Sequence, residues 1–136
     1  MKIGITGSSG ILGSNLRKIL NNENFLPFTG KIENYSDVYK WIKKNQFDSI
    51  IHLAAIVPTI DVDKNKKYSL SVNVDGTKNL INAINLHSKK KVWFFYASTS
   101  HIFRICYKSF ITFFKISYYI YFLNNEINYN IILCHF

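Results

Sequence analysis

Thr6-Gly7-Ser8-Ser9-Gly10-Ile11-Leu12-Gly13 is the stretch that decides the fold. Before it, Lys2-Ile3-Gly4-Ile5-Thr6 reads as a short apolar strand. After it, Leu12, Leu16, Ile19 and Leu20 recur at helical spacing and define a first helix from about Gly10 to Asn22. Strand, glycine turn and helix in that order form the context in which such glycines signal a dinucleotide site. A helix N-terminus offers unpaired N–H groups and a partial positive charge to a pyrophosphate. Gly7 permits the tight turn out of the strand, Gly10 lets phosphates approach the backbone, and Gly13 lets the helix pack closely on the sheet. Ser8 and Ser9 add hydroxyl donors, and Ile11 and Leu12 contribute the first helical amides.

The spacing is G-x-x-G-x-x-G after a threonine, not the G-x-G-x-x-G of ordinary dehydrogenases. This pattern resembles the extended branch of the short-chain dehydrogenase/reductases, which contains nucleotide-sugar epimerases, dehydratases and reductases. The resemblance implies NAD or NADP as cofactor and a nucleotide sugar as substrate. It also leaves room for a homo-oligomer. Complete members of that family are much longer than these 136 residues, so the chain reads as part of such an enzyme.

Downstream, Phe25-Leu26-Pro27-Phe28 reads as a short second strand; Pro27 removes one ladder donor, so the strand is either weak or has that position facing outward. Just beyond it lie Thr29, Gly30, Lys31 and Glu33. In dinucleotide folds this is where an acidic residue grips the adenosine ribose. Lys31 would favour the 2′-phosphate of NADP, whereas Glu33 would serve the free ribose of NAD. Lys31 and Ile32 are therefore cofactor-binding candidates. A tiny third strand is expected at Gly30 to Ile32. Ser36 is the expected N-cap of a helix from Asp37 to Asn45, with Val38, Trp41 and Ile42 as its apolar stripe. The short distance to the next strand resembles the dTDP-4-dehydrorhamnose reductase-like subgroup.

Ser49 to Leu53 reads as a buried parallel strand. His52-Leu53-Ala54-Ala55 closely resembles the family's H-x-A-A/G segment, whose backbone lines the adenosine, so Leu53, Ala54 and Ala55 are expected at the cofactor. His52 itself reads as a core histidine satisfied by a neighbour. Ile56 to Thr59 should approach the cofactor or the substrate. A charged loop, Asp61 to Lys67, precedes a helix from Leu70 to Leu86 with Val74, Leu80, Ile81 and Ile84 inward. Within it, Val72-Asn73-Val74-Asp75-Gly76-Thr77 resembles the family's V-N-x-x-G-T segment. Asn73 there either braces the strands or contacts cofactor.

Lys91 to Ala97 is the last expected strand and ends in Ser98-Thr99-Ser100-His101-Ile102-Phe103. This resembles the family's S-[ST]-x-x-V-[FY] segment. The resemblance places Thr99 on the catalytic Ser/Thr, with Ser98 beside the cofactor. The fold class expected is α/β, a Rossmann-like doubly wound parallel sheet of strand order 3-2-1-4-5, truncated.

The resemblance covers Met1 to about Phe103, which gives an incomplete NAD(P)-binding domain at 1–103 and an aberrant apolar tail at 104–136. The family's proton donor, a tyrosine followed four positions later by lysine, has no match in the tail. Tyr39 and Lys43 have that spacing but lie on an early helix, far from the strand ends, so the match reads as coincidence. From Arg104 to Phe136 there is no Gly, Ala, Val, Pro or Asp, and Phe, Ile, Tyr, Asn, Lys and Leu dominate. An AT-rich gene read in a shifted frame yields that composition; a decayed in-frame tail is the alternative. Two function classes follow. One is the cofactor half of a nucleotide-sugar enzyme, not competent by itself. The other is a non-catalytic NAD(P)-binding regulatory module.

The net charge of +9 raises a nucleic-acid reading. Its lysines, such as Lys40, Lys43, Lys44, Lys64, Lys66, Lys67 and Lys89 to Lys91, are dispersed without an arginine cluster or interleaved aromatics. A solvated surface accounts for them. Ser109 to Leu123 is apolar but contains Lys115 and falls short of the roughly 20 residues a membrane span needs. Neither nucleic acid nor membrane is expected as a partner, and no metal site is expected. The strand-like start lacks the pattern of a signal peptide. Cys106 and Cys134 suggest no disulfide framework, so a cytoplasmic location is expected.

Overall fold

In a computed structural model, residues 1–20, 24–57 and 64–97 are described. Strand β1 (Ile3–Thr6) is central and buried because its residues are apolar or small on both faces. It pairs in parallel with β2 (Phe25–Pro27) on one side and with β3 (Ser49–His52) on the other. Strand β4 (Trp93–Tyr96) extends the sheet beyond β3, giving the order β2-β1-β3-β4. This is the doubly wound parallel arrangement expected, with the expected fourth and fifth strands present as β3 and β4.

The expected third strand does not form. Gly30 presses against the Phe28 ring and the Asp37 side chain, where a Cβ would come within 2.9 and 2.8 Å. The Lys31 carbonyl then accepts from Asn34 N–H, turning the chain instead of extending it, and Ile32 enters the core. Pro27 sits in register with Ile5, and the next amide, Phe28 N–H, donates to the Ile5 carbonyl at 2.8 Å. By alternation the Pro27 nitrogen points away from β1, so the sheet edge tolerates it.

Helix α1 (Ile11–Leu20) follows the glycine turn. Its expected stripe is only partly inward: Leu16 is half-buried, but Leu12 and Ile19 are exposed. Gly13 is the contact that docks the helix. Helix α2 (Tyr35–Asn45) is capped by Asn34, whose side chain accepts from Ser36 N–H at 3.0 Å. The cap is therefore Asn34, not Ser36. Either residue type can cap, and the turn from Lys31 to Asn34 selects the earlier one.

The next helical run has three parts: α3 (Lys66–Leu70), a π-helical turn (Ser71–Asp75) and α4 (Gly76–His87). A π turn adds a residue and rotates what precedes it relative to the regular helix. Val72 consequently faces the core and Val74 does not, contrary to the helical stripe expected, while Leu80, Ile81 and Ile84 are buried as expected. Val38 and Ile42 of α2, Leu80 and Ile84 of α4, and Ile50 and Phe94 of the sheet share one core. Gly4 belongs to this face, since a Cβ there would meet Trp41 and Phe47. Ile5, on the opposite face, is fully buried outside that cluster. The β1–α1–β2 and β2–α2–β3 crossovers run in opposite directions, so their right-handed sense sets α1 and α2 on opposite faces.

Candidate dinucleotide site

The carboxyl ends of β1 and β3 meet at the glycine loop. Gly7 has φ +70°, and a Cβ there would lie 2.6 Å from the Ala54 nitrogen and the Leu53 carbonyl carbon. Backbone packs directly on backbone, so this position excludes every side chain. Gly13 is equally constrained: its Cβ would be 2.3 Å from the Gly7 carbonyl oxygen and 2.6 Å from Ser8 Cα. Gly10 differs. Its Cβ would meet only the Gly7 oxygen, at 3.4 Å, an ordinary contact. Nothing within the described chain requires glycine there.

Gly10 N–H closes the turn onto the Gly7 carbonyl at 3.1 Å, and the Gly10 carbonyl accepts from Ser14 N–H at 2.9 Å. Among the described residues no acceptor takes up the amides of Ile11, Leu12 and Gly13. These are the free donors of a helix start. A cleft of about 560 Å³ opens beside this loop. Of the cofactor candidates, Gly7, Ser8, Ser9, Lys31, Ile32 and Ala54 line it. Gly10, Ile11, Leu12 and Gly13 form the adjoining turn and helix start. Leu53 underlies Gly7, and Ala55 follows Ala54 without lining the cleft.

Phe28, Tyr68 and Val72 also line the cleft and were not anticipated. Tyr68 lies on α3 and Val72 in the π turn, and a regular helix would have placed neither from spacing alone. Glu33 and Ile56 line it too, so Lys31 and Glu33 share one wall. The Asp37 carboxylate is engaged by Lys31 N–H at 3.2 Å.

Asn73 braces. Its side-chain oxygen accepts from Ile56 N–H at 2.7 Å, and its amide donates to the Ile56 carbonyl at 3.0 Å. His52 is 1% exposed and lies beneath the cleft. Its Nδ1 is 2.6 Å from Thr6 Oγ1 and its Nε2 is 2.8 Å from Thr77 Oγ1. Phe94 and Tyr96 flank the ring. Burial pushes its pKa from 6.5 down to about 4, so the ring is neutral. Burial also raises the Tyr96 hydroxyl.

Tyr39 and Lys43 touch each other on the exposed side of α2, with Lys43 Nζ donating to Tyr39 Oη at 2.7 Å. Neither lines the cleft. Ser98 and Thr99 lie outside the described residues, as does the tail from 104 to 136. Among the described residues no cluster of His, Cys, Asp or Glu is placed to hold a metal, and no helix is long and apolar enough to cross a membrane.

A parallel sheet with a glycine loop at the carboxyl end of its first strand defines a Rossmann-like α/β protein. The family described as RmlD substrate binding domain matches residues 1–109, and the chain belongs to that family. Among solved structures it is similar to dTDP-4-dehydrorhamnose reductase from Bacillus anthracis in complex with NADP, at 29% identity and TM-score 0.68. That match covers 76% of this chain and 38% of the other. It is similar in fold to the UDP-Glc/GlcNAc 4-epimerase of Campylobacter jejuni, at 19% identity and TM-score 0.73, covering 96% of this chain and 52% of that one. Thermus thermophilus UDP-glucose 4-epimerase in complex with NAD shares the fold at 15% identity and TM-score 0.72, covering 98% and 54%. The chain thus spans about half or less of the length of these relatives. No curated protein sequence matches it.

Proposed function

We propose that this chain is the nicotinamide-dinucleotide-binding portion of a nucleotide-sugar reductase or epimerase, with residues 1–103 as the binding unit. The observation that carries the reading is the contrast among the three glycines. Internal packing accounts for Gly7 and Gly13, which have no room for a Cβ, but not for Gly10, which has room. A diphosphate drawn against the backbone accounts for Gly10 and uses the free amides beside it. When bound, the cofactor supplies hydride-transfer chemistry. The chain's own residues would bind and orient it. Ser8, Ser9 and the start of α1 would hold the diphosphate, and Ala54 and Ile56 would line the adenosine side.

The finer assignment is NADP. Directly after β2 the cleft wall is formed by Phe28 and Thr29, and the carboxylate that lines the cleft, Glu33, comes only four residues further on. Asp37 is engaged by a backbone amide, and Lys31 is the cationic residue that lines the cleft. The assignment of Thr99 as the hydroxyl that meets the substrate oxygen rests on the motif Ser98 to Phe103. Because no Tyr-x-x-x-Lys pair occurs from Arg104 to Phe136, the chain as given binds cofactor but turns substrate over weakly or not at all.

Isothermal titration of the full chain with NADPH tests the reading. Saturable one-to-one binding tighter than about 1 mM, the weak end of ordinary enzyme KM values, is expected. Absence of saturable binding to NADPH and NADH overturns it. Turnover of a dTDP-4-dehydro sugar near the usual ~10 per second would overturn the assignment of incompetence.

A further inference from the structure

We propose that His52 is a positioning residue for the cleft, the central link of a one-way hydrogen-bond chain that holds the Leu53–Ile56 segment from both sides. The proposal rests on reading the cleft as the dinucleotide site.

The direction of each bond follows from counting hydrogens. Ala54 N–H donates to Thr6 Oγ1 at 3.2 Å. The Thr6 hydroxyl hydrogen is then free for His52 Nδ1, at 2.6 Å. On the other side, Thr77 Oγ1 donates to the Asn73 carbonyl at 2.8 Å, so its oxygen accepts from His52 Nε2–H at 2.8 Å. A neutral imidazole has one donor and one acceptor, and this arrangement uses both. The ring is therefore the Nε2–H tautomer.

From Asn73 the path returns to the cleft. The Asn73 side chain grips both backbone groups of Ile56. Ala54 and Ile56, two residues apart on the cleft floor, are thus tied to the two ends of one network. That network passes through β1, β3 and the helical run that includes the π turn. The π turn, Ser71–Asp75, contains Asn73 and offers a physical reason for its own presence: it displaces Asn73 from regular helical phase.

The relay differs from ordinary core filling because its function depends on proton direction. Thr77→Val removes both the acceptor for Nε2–H and the donor to Asn73, with nearly the same side-chain shape. Thr77→Ser restores both. In the wild-type full chain, long-range ¹H–¹⁵N correlation of the histidine ring is expected to show protonated Nε2 and bare Nδ1. In Thr77→Val, amide hydrogen exchange should rise at both Ala54 and Ile56. The Kd for NADPH should rise about tenfold, the scale of one lost buried hydrogen bond. Thr77→Ser should return both readouts to wild type. A ring protonated on Nδ1 overturns the proposal, and so does unchanged exchange at Ala54 in a folded Thr77→Val. The tautomer is read on wild type, so a misfolded variant leaves the test standing. If wild type binds no NADPH, the dinucleotide reading fails, while tautomer and exchange still judge the relay.

Discussion

Replacing Gly13 and Gly10 by alanine, one at a time, should separate packing from ligand binding. At Gly13 the new methyl would lie 2.3 Å from the Gly7 oxygen, 2.6 Å from Ser8 Cα and 3.0 Å from the Gly7 carbonyl carbon. All three are backbone atoms, so no rotamer relieves the contact. Ordinary contact needs a retreat of roughly 1 Å, which means moving the loop or the helix against a packed sheet. Overpacking of this kind costs about 1–3 kcal/mol, and alanine's better helix propensity returns up to about 1 kcal/mol. Because all three clashes are with backbone, the upper end of that cost applies, and the resulting net loss of about 2 kcal/mol lowers Tm by roughly 6–12 °C for a domain of this size. At Gly10 the methyl meets one atom at 3.4 Å. The expected stability change is below about 1 kcal/mol, the scale of an N-cap substitution. Its methyl would, however, stand where the diphosphate approaches, so NADPH affinity should fall at least tenfold. Thermal melts by circular dichroism and titration calorimetry read the two effects separately. A Gly10→Ala protein that melts like wild type and binds NADPH equally well would refute the ligand-based account of Gly10. A Gly13→Ala protein with unchanged Tm would refute the packing account.

Other outcomes follow from single features of the structure. Lys31→Ala should weaken NADPH by about 1–2 kcal/mol, the worth of a partly exposed charge-assisted bond, and leave NADH unchanged; equal loss for both would contradict the NADP assignment. Asn34→Ala removes the cap on Ser36 N–H and should cost about 1 kcal/mol in urea unfolding, with no change in cofactor affinity. The neutral His52 makes stability depend on pH. Its folded pKa of about 4 lies below the ordinary 6.5, so the unfolded chain binds more protons between those values. Stability should be full above pH 6.5 and fall by roughly 3 kcal/mol as pH drops to 4, measured by urea midpoints. Asp48 acts at lower pH. The Lys90 ammonium and then Lys2 N–H hold its carboxyl below 3.8, so its contribution disappears only on further acidification. A urea midpoint constant from pH 7 to 4.5 would contradict the buried neutral ring.

Much of the site was legible because glycines act by absence. No side chain can sit at Gly7 or Gly13, and that restriction shows in the letters themselves. The strand–turn–helix context also follows from local apolar spacing at Ile3, Ile5, Leu12 and Leu16. Features that depend on tertiary contact were hidden. Gly30 looks capable of edge-strand extension until Asp37 and Phe28 are seen against it. Asn34 and Ser36 are both capping residues, and only the turn from Lys31 chooses between them. The π turn cannot be read from periodicity, so Val72 and Tyr68 were not placed at the cleft. Thr6 and Thr77 lie far apart in sequence; sheet register sets Thr6 beside His52, and packing of α4 on the sheet brings Thr77 to the other nitrogen of the same imidazole.

Backbone amide shifts of the isotope-labelled chain during NADPH titration test the central claim most directly. The account predicts saturable shifts at Ser8, Ser9, Gly10, Ile11, Ala54 and Ile56, with little change at Asp48 and Lys90, which lie at the amino ends of the strands, opposite the glycine loop. Saturable shifts centred on Asp48 and Lys90, or no saturable shifts at all, would contradict it.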